Sequence, residues 1–191
     1  MGAEALSNRA NWQMGARITG DHGENQLVER LAPCLPEHYE IIPKPPKIVI
    51  YDDGKGIKLD VKIVNSETGE CLFIENKSGN QGGNAHERVY KFLSPSLKQK
   101  VRSKFKTPAN PFFLIFSGET FTGEAANPGQ PFFKKNEDGS IKLNKKGKKT
   151  KVDPQKYIDE LTLLLSGENY AVAGIGFANI EEIAAQIMEI I

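Results

Sequence analysis

From residue 59 to 65, LDVKIVN alternates apolar and polar side chains at the period of a half-buried strand. ECLFIENK, 70 to 77, is equally β-rich, and SETG between the two runs is a plausible turn, so the pair predicts a β-hairpin. PFFLIFSG at 111 to 118 is a near-continuous apolar run of strand length, the pattern of a strand covered on both faces. YAVAGIGF at 170 to 177 reads as a further apolar strand, and IVIY at 48 to 51 as a short one followed by the turn DDGKG. Residues 41 to 47 are proline-rich and extended.

Helical spacing fills the intervals. GENQLVERLA at 23 to 32 carries an apolar stripe of Leu27, Val28 and Leu31 and stops at Pro33. Residues 84 to 94 are predicted helical, with Pro95 restarting or kinking the helix into a basic segment at 96 to 105. Asp153-Pro154 starts another helix, with Ile158, Leu161, Leu164 and Leu165 on one face and Gly167 at its stop. Asn179 with Glu182 three positions later forms a capping-box pattern before Ile183, Ile187 and Ile190. The lysine-rich stretch 134 to 151 is a loop or a ragged hairpin, and no internal repeat stands out. The mixture predicts an α/β fold, a central sheet covered by helices, in one domain over 1–191.

Net charge is only +1, so the balance of charge selects no partner, but its distribution is uneven. Residues 88 to 106 hold seven basic residues and no acid, and 134 to 151 hold eight lysines against Glu137 and Asp138. Such clusters suit a phosphate backbone, although a solvated helix face and a lysine-rich loop have the same composition. Cys34 and Cys71 form no CxxC, which argues against a disulfide framework or a structural zinc site and for reduced thiols in the cytoplasm. The chain opens without a basic-then-apolar signal pattern, and no apolar run approaches a membrane span. GIGFAN at 174 to 179 lacks the third glycine of a dinucleotide loop, and too little chain follows to complete that unit.

The hairpin carries the first candidate chemistry. Asp60 and Glu75 are equidistant from its turn, with their midpoint between Glu67 and Thr68, so an antiparallel pairing makes them neighbours. Facing carboxylates repel, and a protein that keeps them either supplies a cation or protonates one. Lys77, two residues after Glu75, shares its face. Two carboxylates and an ammonium at one end of a hairpin suit Mg²⁺, which accepts hard oxygen ligands and keeps several waters. A metal so held can polarise a phosphodiester and activate a water. A surface salt-bridge ladder would have the same residues, because D-x(n)-E-x-K is a common pattern.

The second candidate lies just beyond. Asn84-Ala85-His86-Glu87 is a capping box in its own right. Asn and Arg are also the side chains that bind adenine and guanine edges bidentately, and Asn84 and Arg88 project from one helix face. Gly79, Gly82 and Gly83 before them allow backbone to approach a groove. A strand end that cuts would then sit beside a helix start that reads.

GNAHER at 83 to 88, beside the D…ExK hairpin, resembles the MunI/EcoRI group of type II restriction endonucleases within the PD-(D/E)xK nuclease superfamily. LSNRANWQ (6 to 13), GENQL (23 to 27), GNAHERVYKFLSPSL (83 to 97) and PFFLIFSGE (111 to 119) look like segments of that group in the same order. The resemblance implies a restriction-endonuclease-like core, a central mixed β-sheet flanked by helices. It also implies a homodimer that uses Mg²⁺ to hydrolyse both strands of double-stranded DNA at a short palindrome centred on AATT, leaving 5′ overhangs. Asp60 and Glu75 would bind the metal, and Lys77 would complete the catalytic set. Gly83, Asn84, Ala85 and Arg88 would contact DNA, with Asn84, Ala85 and Arg88 reading the inner bases. Glu87 would brace the reading residues, His86 is a further candidate contact, and Glu24 lies where many superfamily members keep an auxiliary acid.

Two positions depart from the pattern. Leu59 stands where the superfamily usually has proline, which shapes the strand but supplies no ligand. Gly82 stands where the MunI pattern has an arginine that reads the outer base pair, which predicts a flanking pair unread, relaxed or read from elsewhere. Two rivals remain at this point. Another nuclease of the superfamily, such as a junction resolvase or repair endonuclease, would need no base-reading helix. A DNA-binding protein with a decayed site would bind without cutting.

Overall fold

The computed structural model describes residues 23–77, 89–118, 131–136 and 138–191. A helix over 23–31 (α1) runs into a 3-10 turn at Ala32–Cys34, which brings the chain to β1 (Tyr39–Pro43). A small hairpin follows, β2 (Ile48–Val49) with β3 (Gly56–Ile57), and then the predicted hairpin, β4 (Val61–Asn65) with β5 (Cys71–Lys77). Next come α2 (Tyr90–Leu93), α3 (Pro95–Arg102), β6 (Phe112–Phe116), β7 (Phe132–Phe133), β8 (Lys151–Val152), α4 (Pro154–Leu164), β9 (Tyr170–Val172) and α5 (Ile180–Ile190).

The main sheet has five strands in the order β1-β4-β5-β6-β9. β4 is antiparallel to both β1 and β5, whereas β5, β6 and β9 run parallel to one another, so the sheet is mixed. All five residues of β6 are buried, as its continuous apolar run predicts for a strand covered on both sides. On one face Val61, Ile63, Leu72, Ile74, Phe113 and Ile115 pack against Leu27 and Leu31 of α1 and Ile183 and Ile187 of α5. On the other, Phe73, Phe112, Leu114 and Phe116 pack against Phe92 of α2, Leu97 and Val101 of α3 and Leu161 of α4. Helices therefore flank a central mixed sheet, as expected. Lys98 of α3 ties its layer to the loop before β9, with Nζ 2.6 Å from a Glu168 oxygen that loop supplies.

Pro95 does restart the helix, and the Ser94 hydroxyl accepts the Leu97 N–H. Other local expectations change. The strand expected over 170 to 177 ends at Val172, and a 3-10 turn at Ile175–Phe177 follows. The cause is Asn179, whose Oδ1 accepts from Gly174 N at 2.6 Å while its Nδ2 donates to Val172 O at 3.1 Å. Asn179 thus clasps the strand end behind it and makes no side-chain cap on α5, contrary to the capping-box reading.

The lysine-rich stretch is a built element with an internal repeat. β7 and β8 form a stem, and beyond it two small hairpins bridge at Lys135 with Ile141 and at Leu143 with Lys149. Three backbone bonds close a ring at their root: Lys134 N to Thr150 O (2.9 Å), Lys142 N to Lys134 O (2.7 Å) and Thr150 N to Lys142 O (3.0 Å). The eight-residue period Lys-x-Asn-x-x-Gly-x-x, at 134–141 and 142–149, escapes a search for longer repeats because only its turn residues recur.

Candidate active site

The site begins with the register of the β4–β5 hairpin. Val61 pairs with Ile74, and Val64 with Cys71. Asp60, the residue before that pair, stays tied to β5, its N–H donating to Ile74 O at 3.1 Å. Asp60 and Glu75 are therefore the next residues beyond the Val61–Ile74 pair, close enough for their carboxyls to repel. The turn is fixed at its root by Asn65, whose Oδ1 accepts from Glu67 N at 3.0 Å and Thr68 N at 3.2 Å. A slip of one residue would send Asp60 to the other face of the sheet.

Both neighbouring strands hold Asp60 in place. Its carbonyl accepts from Lys44 N at 2.8 Å, beyond the end of β1, and its Oδ2 accepts from Asn76 N at 2.6 Å. Glu75 is buried at 7% exposure, and its Oε1 accepts a hydrogen bond from Lys77 Nζ. A carboxylate this enclosed requires a partner, and Lys77 is the one supplied. Cys71 and Phe73, of the same parity as Glu75 and Lys77, belong to the core under α2 and α3. The charged residues therefore continue an apolar face to the end of the sheet.

Burial pushes the Asp60 carboxyl up to about 7, and repulsion from Glu75 and then Glu24 adds to it. The Asn76 N–H and the Lys77 ammonium pull the other way without cancelling it. This pocket is short of positive charge even with its lysine in place. Two facing carboxylates with that deficit are a donor set suited to a hard divalent cation, which needs few protein ligands because it retains water. Among the described residues no three His, Cys, Asp or Glu side chains gather around one point. Glu24 is half-buried and paired with Lys44 at 3.5 Å, so it acts on Asp60 through its charge.

Asn76, the residue between Glu75 and Lys77, was not singled out by the sequence. Its side chain points to the opposite face, where Nδ2 donates to Gly23 O at 3.1 Å and Oδ1 accepts from Ser117 Oγ at 2.7 Å. It links the start of α1 and the end of β6 to the strand carrying the candidate residues. Ser117 N and Gly118 N both donate to Lys77 O at 3.1 Å, closing the same corner. A polar residue inside a buried strand was the available signal, since such a residue must find partners. Gly83, Asn84, Ala85, His86, Glu87 and Arg88 lie outside the described residues.

Residues 47–127 match the family model described as type II restriction enzyme MunI, a span that contains the hairpin and the GNAHER segment. Among solved structures the chain is similar to MunI restriction endonuclease in complex with cognate DNA, at 21% identity and a TM-score of 0.48, covering 80% of each chain. No curated protein matches it.

Proposed function

We propose that this chain is a MunI-like type II restriction enzyme, a site-specific deoxyribonuclease that cuts double-stranded DNA at a palindrome centred on AATT with Mg²⁺ and leaves 5′ overhangs; the match of residues 47–127 to that family model supports the reading. The observation that carries the reading is the meeting of Asp60, Glu75 and Lys77 at one end of the β4–β5 hairpin.

Asp60 and Glu75 are the proposed holders of the cation. When bound, Mg²⁺ supplies Lewis acidity toward a phosphodiester and lowers the pKa of a coordinated water. The chain's own residues do the rest. Glu75 fixes the Lys77 ammonium by a direct hydrogen bond, and that ammonium is placed to stabilise charge on the phosphate or to orient the attacking water. The Asn76 N–H keeps one Asp60 oxygen occupied, which directs the other into the pocket. Glu24 raises the negative field there and so favours the cation.

Asn84, Ala85 and Arg88 are the proposed readers of the inner bases, with Gly83 against the backbone, Glu87 bracing them and His86 a further contact. Gly82 has no side chain to reach an outer base pair, so that pair is proposed to be unread. A palindrome is matched most simply by a two-fold homodimer.

Digestion of DNA of known sequence with Mg²⁺, followed by sequencing of the ends, tests the reading. Ends that share AATT in a 5′ overhang with free flanking bases are expected. Ends scattered over sequence would favour a repair-type nuclease, and binding to AATT duplexes without any cutting would favour a decayed site.

A further inference from the structure

The two hairpins on the β7–β8 stem share a frame and differ in charge. In the first, Gly139 N donates to Asn136 O at 2.9 Å and Asn136 N to Ser140 O at 2.8 Å. In the second, Gly147 N donates to Asn144 O at 2.9 Å and Asn144 N to Lys148 O at 2.8 Å. Gly139 and Gly147 have φ of 80° and 70°, the left-handed conformation that closes each turn and that glycine adopts without strain. The two frames share their Asn and Gly, Asp138 and Ser140 add side-chain bonds to the first, and in the second Asn144 Oδ1 accepts from Lys146 N at 2.9 Å and Lys148 N at 3.1 Å.

The two tips carry opposite charges. The first tip reads Glu137-Asp138-Gly139-Ser140, and the second Lys145-Lys146-Gly147-Lys148. Asp138 is engaged within its own turn, accepting from Ser140 N at 2.9 Å. Lys145, Lys146 and Lys148 are exposed, and none has an acidic partner within salt-bridge distance among the described residues. Three ammonium groups on a four-residue turn repel one another, and the twin turn shows that the fold does not require them.

The knob also emerges at a telling place. β5 and β6 are parallel, with Lys77 beside Phe116, so β6 ends where the candidate residues are. The knob leads through Val152 directly into α4. The chain beyond α4 reaches the start of β6, because Asn169 Nδ2, just before β9, donates to Asn110 O at 3.3 Å. α4 packs through Leu161 on the sheet face that Glu75 and Lys77 share, and the knob is inserted between β6 and this helix. It falls beyond residue 127, outside the segment matched to the MunI family.

We propose that the tip formed by Lys145, Lys146 and Lys148 docks on the phosphate backbone of duplex DNA flanking the cleavage site, giving affinity without sequence information. The proposal rests on the reading of the chain as an enzyme acting on DNA. Phosphate contacts of this kind release condensed counterions, so they are recognised by salt dependence.

Two variants of the full chain test it. Lys145→Gln/Lys146→Gln/Lys148→Gln removes the charge. Lys145→Glu/Lys146→Asp/Lys148→Ser installs the first tip's own sequence on the second frame, a sequence that forms this turn in the same protein. Binding to a duplex with AATT and to one without is measured by fluorescence anisotropy in EDTA across a NaCl series, with melting temperature as a control on folding. For the Gln variant, affinity at moderate salt should fall roughly tenfold on both duplexes alike, and the slope of log K against log salt should drop by about 2 to 3. The acidic variant should lose more.

Unchanged affinity and slope in both variants would overturn the proposal, as would a loss confined to the AATT duplex. Cleavage of a plasmid with Mg²⁺, run alongside, separates this proposal from the reading it rests on. Site-specific cutting with an unaltered slope removes the docking tip alone. Tip-dependent binding by a chain that never cuts removes the nuclease reading alone.

Discussion

Asp60 is asked to be charged in a place that disfavours charge. Its usual value of 3.8 rises to about 7 on folding, through burial first and repulsion from Glu75 second. Between those limits the folded chain holds a proton that the unfolded chain has released, so stability falls as pH rises through the window. The cost is complete above about pH 7 and amounts to at most about 4 kcal/mol. Asp60→Asn removes it while leaving an oxygen to accept the Asn76 N–H. The variant should lose DNA cleavage and yet, without metal, melt higher than the wild type at pH 8 and nearly equally at pH 4. A lower melting point at pH 8 would show that Asp60 is not strained by its surroundings. Lys77→Ala should also abolish cleavage, measured on plasmid with Mg²⁺, while duplex binding in Ca²⁺ persists. Asn76→Leu acts differently, because it leaves Gly23 O and Ser117 Oγ without their partner. Orphaned buried groups of this kind cost roughly 1–3 kcal/mol each, which a urea titration would detect as a lower midpoint.

The β4–β5 hairpin was legible because two rules agree on it. Period-two alternation fixes the faces, and counting outward from SETG fixes the register. The charged pair at its end follows from those two facts, so the strand-borne part of the candidate site could be located by arithmetic. Asn179 was misread for the opposite reason. The pattern Asn-x-x-Glu is a local signal, and a tertiary bond to Val172 O and Gly174 N won over it. Asn179→Ala should therefore loosen the β9 end rather than fray α5. We expect a loss of about 1–3 kcal/mol by denaturant unfolding, with hydrogen exchange accelerating at Gly174 more than along α5. The twin hairpins were illegible because lysine tracts usually mean solvated loops, and the spacing of two Asn and two Gly residues is faint beside eight lysines. Asn76 was missed because its partners, Gly23 and Ser117, are remote in sequence.

The start of α1 reaches the corner that holds the candidate residues. α1 delivers Glu24 from one side, and Asn76 reaches Gly23 across the strand that carries Glu75 and Lys77 on the other. Cation binding there is expected to couple to the stability of the whole chain, because a ligand held only by the folded state stabilises it by mass action. Protons compete for the same carboxylate. Below about pH 7 Asp60 is largely protonated in the free protein, so binding a cation must also release that proton. Mg²⁺ should raise the melting temperature by more at pH 8 than at pH 6, and chelation with EDTA should reverse the gain. In Asp60→Asn the increment should nearly vanish at both pH values, since one donor is gone and no proton competes. Equal increments at pH 6 and pH 8, retained in Asp60→Asn, would place the cation elsewhere in the molecule and separate this corner from the chemistry assigned to it.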